Sequence, residues 1–237
     1  MEVIHAIVLK IFNYSDTQKI VRVFSKEKGY LSLITPAYVL KQKRSSLNMM
    51  QVVEMEYYEN TKSEFHKLKS IAPLFNASSL YLNIFKMNIA LLWGEVLDLL
   101  LRKEQKNEVL YTFISRSVEY LNESSSDTAN FNLFFLYRLS IYVGFKINTD
   151  TYDSGYVFNI NDGNFTSPDQ KQPYISGPNT AKIIYDLCTF RVEEIKNIVL
   201  NRESRRILLD IILLFYSIHL NIDFNIKSIK VIREVFE

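Results

Sequence analysis

The hydrophobic residues of this chain change their period near residue 76, which limits it to strands first and helices after. "KIVRVFS" sets Ile20, Arg22 and Phe24 against Val21, Val23 and Ser25, and "VVEMEYYE" sets Val53, Met55 and Tyr57 against Glu54, Glu56 and Tyr58. A period of two belongs to a strand with one buried face. "VIHAIVLKIF" supplies an earlier strand of β-branched and apolar residues. "SKEKGYLSLIT" adds a turn ending in Gly29 and a third strand over Tyr30 to Thr35, stopped by Pro36. "FHKLKSIAPL" makes a fifth, with Phe65, Leu68 and Ile71 apolar and lysines between them. Five short antiparallel strands in about 75 residues predict a small closed barrel, and the five-stranded oligonucleotide-binding (OB) barrel is the commonest such object.

Beyond Asn76 apolar residues recur every three and four positions. "SSLYLNIFKMNIALLWGEVLDLLLRKEQ" reads as one amphipathic helix with Ser78 or Ser79 as its N-cap, and "NEVLYTFISRSVEYLNE" as a second. "ANFNLFFLYRLSIYVGF" is a strongly apolar helix ending at Gly144. An irregular stretch follows, within which "YVFNINDGNFTS" reads as a hairpin turning at Asp162 and Gly163. "NTAKIIYDLCTF", "VEEIKNIVL", "ESRRILLDIILLFYSIHLNI" and "KSIKVIREVF" return to helix. The fold class is therefore α+β: an OB barrel over residues 1–75, a helical part over 76–147, an irregular β-hairpin insertion over 148–177, and a second helical part over 178–237.

Several function classes are excluded by what the chain lacks. A single cysteine, Cys188, rules out an internal disulfide, and His5, His66 and His219 are too scattered for local zinc spacing. "MEVIHAIVLKIFNYSD" is broken by His5 and Lys10, so it is no leader, and no apolar run reaches membrane-spanning length. The expectation is a cytoplasmic protein without metal, cofactor or membrane contact. The six glycines are dispersed, with none in a phosphate-cradling loop, which argues against a nucleotide hydrolase. Cys188 on the apolar face of "IIYDLCTF" reads as a buried structural thiol, His5 and His66 as barrel-surface residues and His219 as a helix-end residue. Asp150, Asp153 and Asp162 lack the spacing of a calcium loop. No enzyme is expected, and a nuclease or transferase would have to rest on those aspartates alone.

Charge points elsewhere. The net of +2 divides into eleven Lys and Arg against seven Asp and Glu over residues 1–75, and seventeen against nineteen over the rest. An anion-binding surface belongs in the first third. Lys41, Lys43 and Arg44, with Ser45 and Ser46 beside them, form a basic loop suited to phosphate oxygens, and Lys10, Lys19 and Arg22 fall on neighbouring strands. Among them lie Phe12, Tyr14, Phe24, Tyr30 and Tyr38. Cations interleaved with aromatic faces are the ingredients of single-strand binding; Phe24 reads as core, and Tyr14 and Tyr38, in loops, as the stacking candidates. The plain alternative is a solvated loop, charged surface loops being common. In the helices, Arg102, Arg138, Arg205 and Arg206 read either as solvated helix faces or as the cationic rim of a groove for an acidic peptide ending in aromatic and carboxylate groups.

The order of these features resembles a known family. "HAIVLKIFNYSDTQKIVRVFSKEKGYLSLITPA" followed by a basic loop, the central "FFLYRLSIYVGFKINTD" and the closing "SIKVIREVF" resemble the corresponding segments of the RecO family of bacterial recombination mediators. The resemblance implies an N-terminal OB barrel, a helical domain and a small insertion that often carries four zinc cysteines. Here the insertion has no cysteine, with Tyr152 and Gly155 where a first pair is expected, so this chain reads as a zinc-less member. The resemblance further implies a cytoplasmic, nucleoid-associated protein that binds single- and double-stranded DNA, anneals complementary strands and works with RecR to load the RecA recombinase. Lys10, Lys19, Arg22, Lys41, Lys43, Arg44, Tyr14 and Tyr38 would be the DNA surface, and the arginine-rimmed groove would dock the C-terminal tail of the single-strand-binding protein. The competing reading is a non-catalytic protein-interaction adaptor with little DNA binding of its own.

Overall fold

Alternation in the first third does close the chain into a barrel. The computed structural model describes residues 1–41, 47–125, 128–169, 175–221, 226, 228 and 229. Strands β1 (Glu2–Asn13), β2 (Gln18–Ser25), β3 (Gly29–Pro36), β4 (Val52–Tyr58) and β5 (Phe65–Pro73) run in the closed order β1-β2-β3-β5-β4. Twelve-residue β1 is long enough to serve two neighbours, its first half pairing with β4 and its second with β2. One pairing departs from the all-antiparallel expectation: β3 and β5 are parallel, Ser32 to Ile34 opposite Phe65 to Lys67. Because β4 turns back through β5 and also closes on β1, β5 reaches β3 in the same direction.

The inward register carries the predicted core. Ile4, Ala6, Val8, Val21, Val23, Leu33, Val53, Met55, Tyr57 and Leu68 are buried together. Leu40 and Leu47, on either side of the basic loop, join them and anchor its two ends. Burying such side chains contributes about 1.5–3 kcal/mol each, which closes the barrel against its conformational entropy.

The first predicted helix divides in two, α1 (Ser78–Leu82) and α2 (Ile84–Leu100). Asn83 is the cause: its backbone is extended and its side chain accepts from the amides of Phe85 and Lys86, an N-cap inside an apolar period. The N-cap of α1 is Ala77, without a side-chain bond, in place of the expected serines. Helix α3 (Glu108–Glu123) follows. These helices and the barrel form one compact unit over Met1–Glu123, joined by Ile226 and by Ser228, which donates to Glu95 Oε2 from both its amide and its hydroxyl at 3.1 Å.

A second unit begins at Ser124. Helix α4 (Thr128–Tyr142) stops before Gly144, whose φ of 89° ends it as expected. The hairpin is present as β6 (Val157–Asn159) and β7 (Asn164–Thr166), with Gly163 at φ 66° in its turn. Helices α5 (Pro178–Thr189) and α6 (Arg202–Leu220) complete it, and "VEEIKN" between them is a 3-10 turn, not an α-helix. The last predicted helix lies largely outside the described residues. Among the described residues, no helix is long and apolar enough to cross a membrane.

Candidate nucleic-acid interface

Residues of opposite parity to the core line the barrel's outer face, and strand register orders them into rows. Lys10 faces Arg22, Arg22 faces Ser32, and Ser32 faces Phe65 across β1, β2, β3 and β5. The adjacent row runs Phe12, Ile20, Ile34, Lys67 and Tyr58. Cations and aromatic rings thus share one face, at its two sides, with Ser32, Ile20 and Ile34 between them. The Arg22 guanidinium lies 5.0 Å from the centre of the Phe12 ring, and the Tyr14 ring sits 5.8 Å from that of Phe65. In OB barrels the β2–β3 face and the loops after β1 and β4 are where oligonucleotides bind. Tyr14 comes from the first of those loops and Phe65 opens the strand after the second.

Helix α2 supplies a carboxylate to this face. Gly94 has no Cβ, and one placed there would stand 2.7 Å from the Leu9 carbonyl oxygen, so only glycine lets α2 seat directly on β1. One turn later Asp98, 1% exposed, receives the Tyr30 hydroxyl at 2.7 Å and Arg22 Nη1 at 3.1 Å. Arg102 Nη2 stands 3.4 Å and Lys10 Nζ 3.7 Å from the same carboxylate. Burial, then the Asp98 hydrogen bond, push the Tyr30 phenol well above its ordinary range, so it stays a donor. Nearby, the β2–β3 turn is tied to the helices. Gly29, at φ 77°, lies where any side chain would strike the backbone of Glu104 and Gln105, and Lys26 pairs with Glu108 at 2.9 Å.

The sequence-predicted DNA residues do not all share this face. Lys10 and Arg22 are brought together, as cross-strand neighbours around Asp98. Lys19 has the parity of Val21 and Val23 and sits instead at the barrel's end, opposite Asn13 and Thr35. Tyr14 and Tyr38 are exposed at one end of the barrel, where the Ala37 amide donates to the Thr17 carbonyl. Lys41 closes a 3-10 turn, Val39–Lys41, and its side chain, like Lys43 and Arg44, lies outside the described residues. Phe24 is fully buried, as read. Phe65, an apolar strand residue by its sequence, faces outward because it stands three positions from the inward Leu68 and so has the opposite parity. Lys67 and Asp98 were missed. Strand parity counted back from Leu68 points to the first, and an aspartate flanked on both sides by leucines in "LLWGEVLDLLL" to the second.

The four helical arginines are held in place one by one. Arg102 joins the Asp98 cluster in the first unit. In the second, Arg138 donates to the Cys188 carbonyl and lies over the Phe134 ring at 5.7 Å. Arg205 Nε donates to Asn130 Oδ1 at 3.1 Å, while exposed Arg206 pairs with Glu203 on its own helix at 3.2 Å. Cys188 is buried, and burial pushes its thiol up to about 12, the character of a structural thiol.

The insertion does not fit a zinc ion. It contains neither cysteine nor histidine, and among the described residues no three His, Cys, Asp or Glu side chains converge. Tyr152 instead stacks on Tyr185, ring centres 4.2 Å apart, and meets Phe165 edge-on at 5.2 Å. Phe165 continues to Phe158, and Phe158 to Phe215 on α6. Asp162 and Asp153 accept hydrogen bonds from Asn159 and the Ser154 amide within turns.

Comparison with known proteins matches both parts of the chain. The family model described as Recombination protein O N terminal covers residues 1–76, and that described as Recombination protein O C terminal covers residues 81–228. The chain is 30% identical over 239 residues to the DNA repair protein RecO of Bacteroides fragilis, covering 98% of this chain and 97% of that protein. It is 27% identical over 236 residues to the protein of the same description from Azobacteroides pseudotrichonymphae, covering 98% of each. The Christiangramia forsetii protein of that description is 28% identical over 236 residues, covering 98% of this chain and 97% of its own.

Proposed function

The chain belongs to the RecO family of DNA repair proteins, and from that premise we propose that it is a non-catalytic recombination mediator that binds single- and double-stranded DNA on the outer face of its barrel. The observation that carries this reading is the pair of rows across β1, β2, β3 and β5, which put Lys10, Arg22 and Lys67 on one face with Phe12 and Phe65, Tyr14 lying against Phe65. Cations follow a phosphate backbone without reading sequence, and exposed rings accept any base.

Annealing complementary strands then needs no bond chemistry. It requires a surface that screens phosphate repulsion between two strands and releases the duplex afterwards. Two features keep binding weak enough for release: a surplus of only four cations over residues 1–75, and a buried carboxylate among those on the face. Loading of the RecA recombinase with RecR, and docking of the single-strand-binding protein's C-terminal tail, complete the proposal and place the protein in the cytoplasm at the nucleoid. Of the helical arginines, Arg206 is the one whose exposure best suits an acidic tail, since Arg138 and Arg205 hold α4 to its neighbours. Partner contacts would raise the effective concentration of a barrel that binds weakly alone.

Strand annealing by the full chain, followed with fluorescently paired complementary oligonucleotides, tests the proposal. A Phe65→Ala, Lys67→Ala double variant should slow annealing and weaken single-strand binding, with a shallower dependence on salt. Wild-type protein that neither anneals nor retains DNA at low salt would overturn the proposal in favour of an adaptor.

A further inference from the structure

Lys10 on β1, Arg22 on β2 and Arg102, two residues past the end of α2, place three cations within 3.7 Å of one carboxylate. Like charges facing each other on a ladder repel, and Asp98 relieves that repulsion between Lys10 and Arg22. It does not neutralise the cluster, which keeps a surplus of two positive charges. The surplus faces outward: the side chains of Lys10 and Arg102 are 41% and 49% exposed. Arg22 Nε is buried with no acceptor among the described residues. More donors than acceptors, held by a buried counter-ion, make a preformed site for an oxyanion.

We propose that Lys10, Arg22 and Arg102 together bind one phosphodiester of a nucleic-acid backbone, so that the end of α2 is part of the DNA face and Asp98 is its positioning residue. The inference rests on the DNA-binding reading above and extends the face from the barrel to the helix packed on it. An acidic peptide is the other polyanion these cations could hold. The phosphodiester is favoured by continuity, since the same row runs on through Ser32 to Phe65, and Arg22 lies over Phe12, which puts rings for bases beside donors for phosphates.

The test is fluorescence anisotropy of a labelled single-stranded oligonucleotide with the full chain across a salt series, comparing Arg102→Ala with Lys103→Ala. Both substitutions remove one charge, and Lys103 is exposed at the next position. Arg102→Ala should weaken binding and reduce the log–log salt slope by about 0.7, narrowing the wild-type advantage about 2.6-fold between about 50 and about 200 mM salt. Lys103→Ala should change the slope little. In an Asp98→Asn background the Arg102→Ala effect should shrink to that of Lys103→Ala, because the guanidinium is no longer held at the site. Should that background not fold, the two single variants decide alone. Equal effects of Arg102→Ala and Lys103→Ala would reduce the cluster to long-range charge and overturn the proposal. So would unchanged DNA binding by Arg102→Ala, including the case in which it loses an acidic, aromatic-ended peptide instead. Wild type without DNA binding would overturn the functional reading as well, which separates the two failures.

Discussion

Replacing Gly94 by Ala should destabilise the first unit, although alanine is the better helix former. Propensity alone favours the change by about 1 kcal/mol inside a helix. The new methyl would stand 2.5 Å from Met49 Cε and 2.7 Å from the Leu9 carbonyl oxygen. Ordinary contact begins at 3.4 Å, so α2 would have to retreat about 0.7 Å from β1. The Met49 methyl ends a flexible side chain and can swing aside, whereas the Leu9 carbonyl belongs to the barrel wall. Overpacking costs about 1–3 kcal/mol, leaving a net loss of about 1 kcal/mol after the helix gain. For a chain of this size that lowers the melting midpoint by about 3 °C. Trp93, the one tryptophan, is fully buried beside Gly94, so its fluorescence in a urea titration reports this unit. A Met49→Ala change relieves only the side-chain clash, and the double variant should remain less stable than Met49→Ala alone. A midpoint for Gly94→Ala above wild type would refute the close approach of α2 to β1.

Tyr152→Ala should cost the second unit about 2 kcal/mol, from one stacked and one edge-on ring pair together with lost burial, while a chelator leaves the wild-type melting midpoint unmoved. A chelator-induced fall in a circular dichroism melt would contradict the aromatic account of the insertion. Lys86 is buried on α2, donating to Ser79 Oγ at 2.9 Å and the Asn122 carbonyl at 2.7 Å, and burial lowers its pKa. The unfolded chain therefore binds more protons just below the free-lysine value of about 10.4, so this group's contribution to stability rises with pH in that window. The urea midpoint of wild type relative to Lys86→Met should move in favour of wild type between about pH 8 and about pH 10; a flat difference would remove the desolvation argument.

The barrel was legible because each strand buries one face, and burial of one face writes a period of two into residues such as Val53, Met55 and Tyr57. The hairpin at Gly163 was legible because few residues tolerate a left-handed turn. What escaped reading depends on contacts distant in sequence. Asn83 breaks a helix that the apolar period carries straight through, since a cap is a local hydrogen bond and not a change of hydrophobicity. The sequence places Lys10 and Arg22 on neighbouring strands, and strand register makes them direct neighbours. Their shared partner lies 76 positions beyond Arg22, and a lone aspartate gives no sign of which cations it will meet. The parallel β3–β5 pairing was hidden for a similar reason, because direction is set by closure and not by either strand's own sequence.

The seating of Gly94 against Leu9 also sets a clock for synthesis. About 85 residues separate the two positions, and ribosomes add about 5–20 residues per second, so β1 is made about 4–17 s before its covering helix. Until β4 is made, β1 can pair only with β2 as a local hairpin, its edge toward β4 open, and its outward Ile7 and Leu9, buried in the finished fold, remain uncovered until α2 is made. The nascent chain thus passes through a stage with an open strand edge and exposed aliphatic side chains, the kind of surface that holdase chaperones bind.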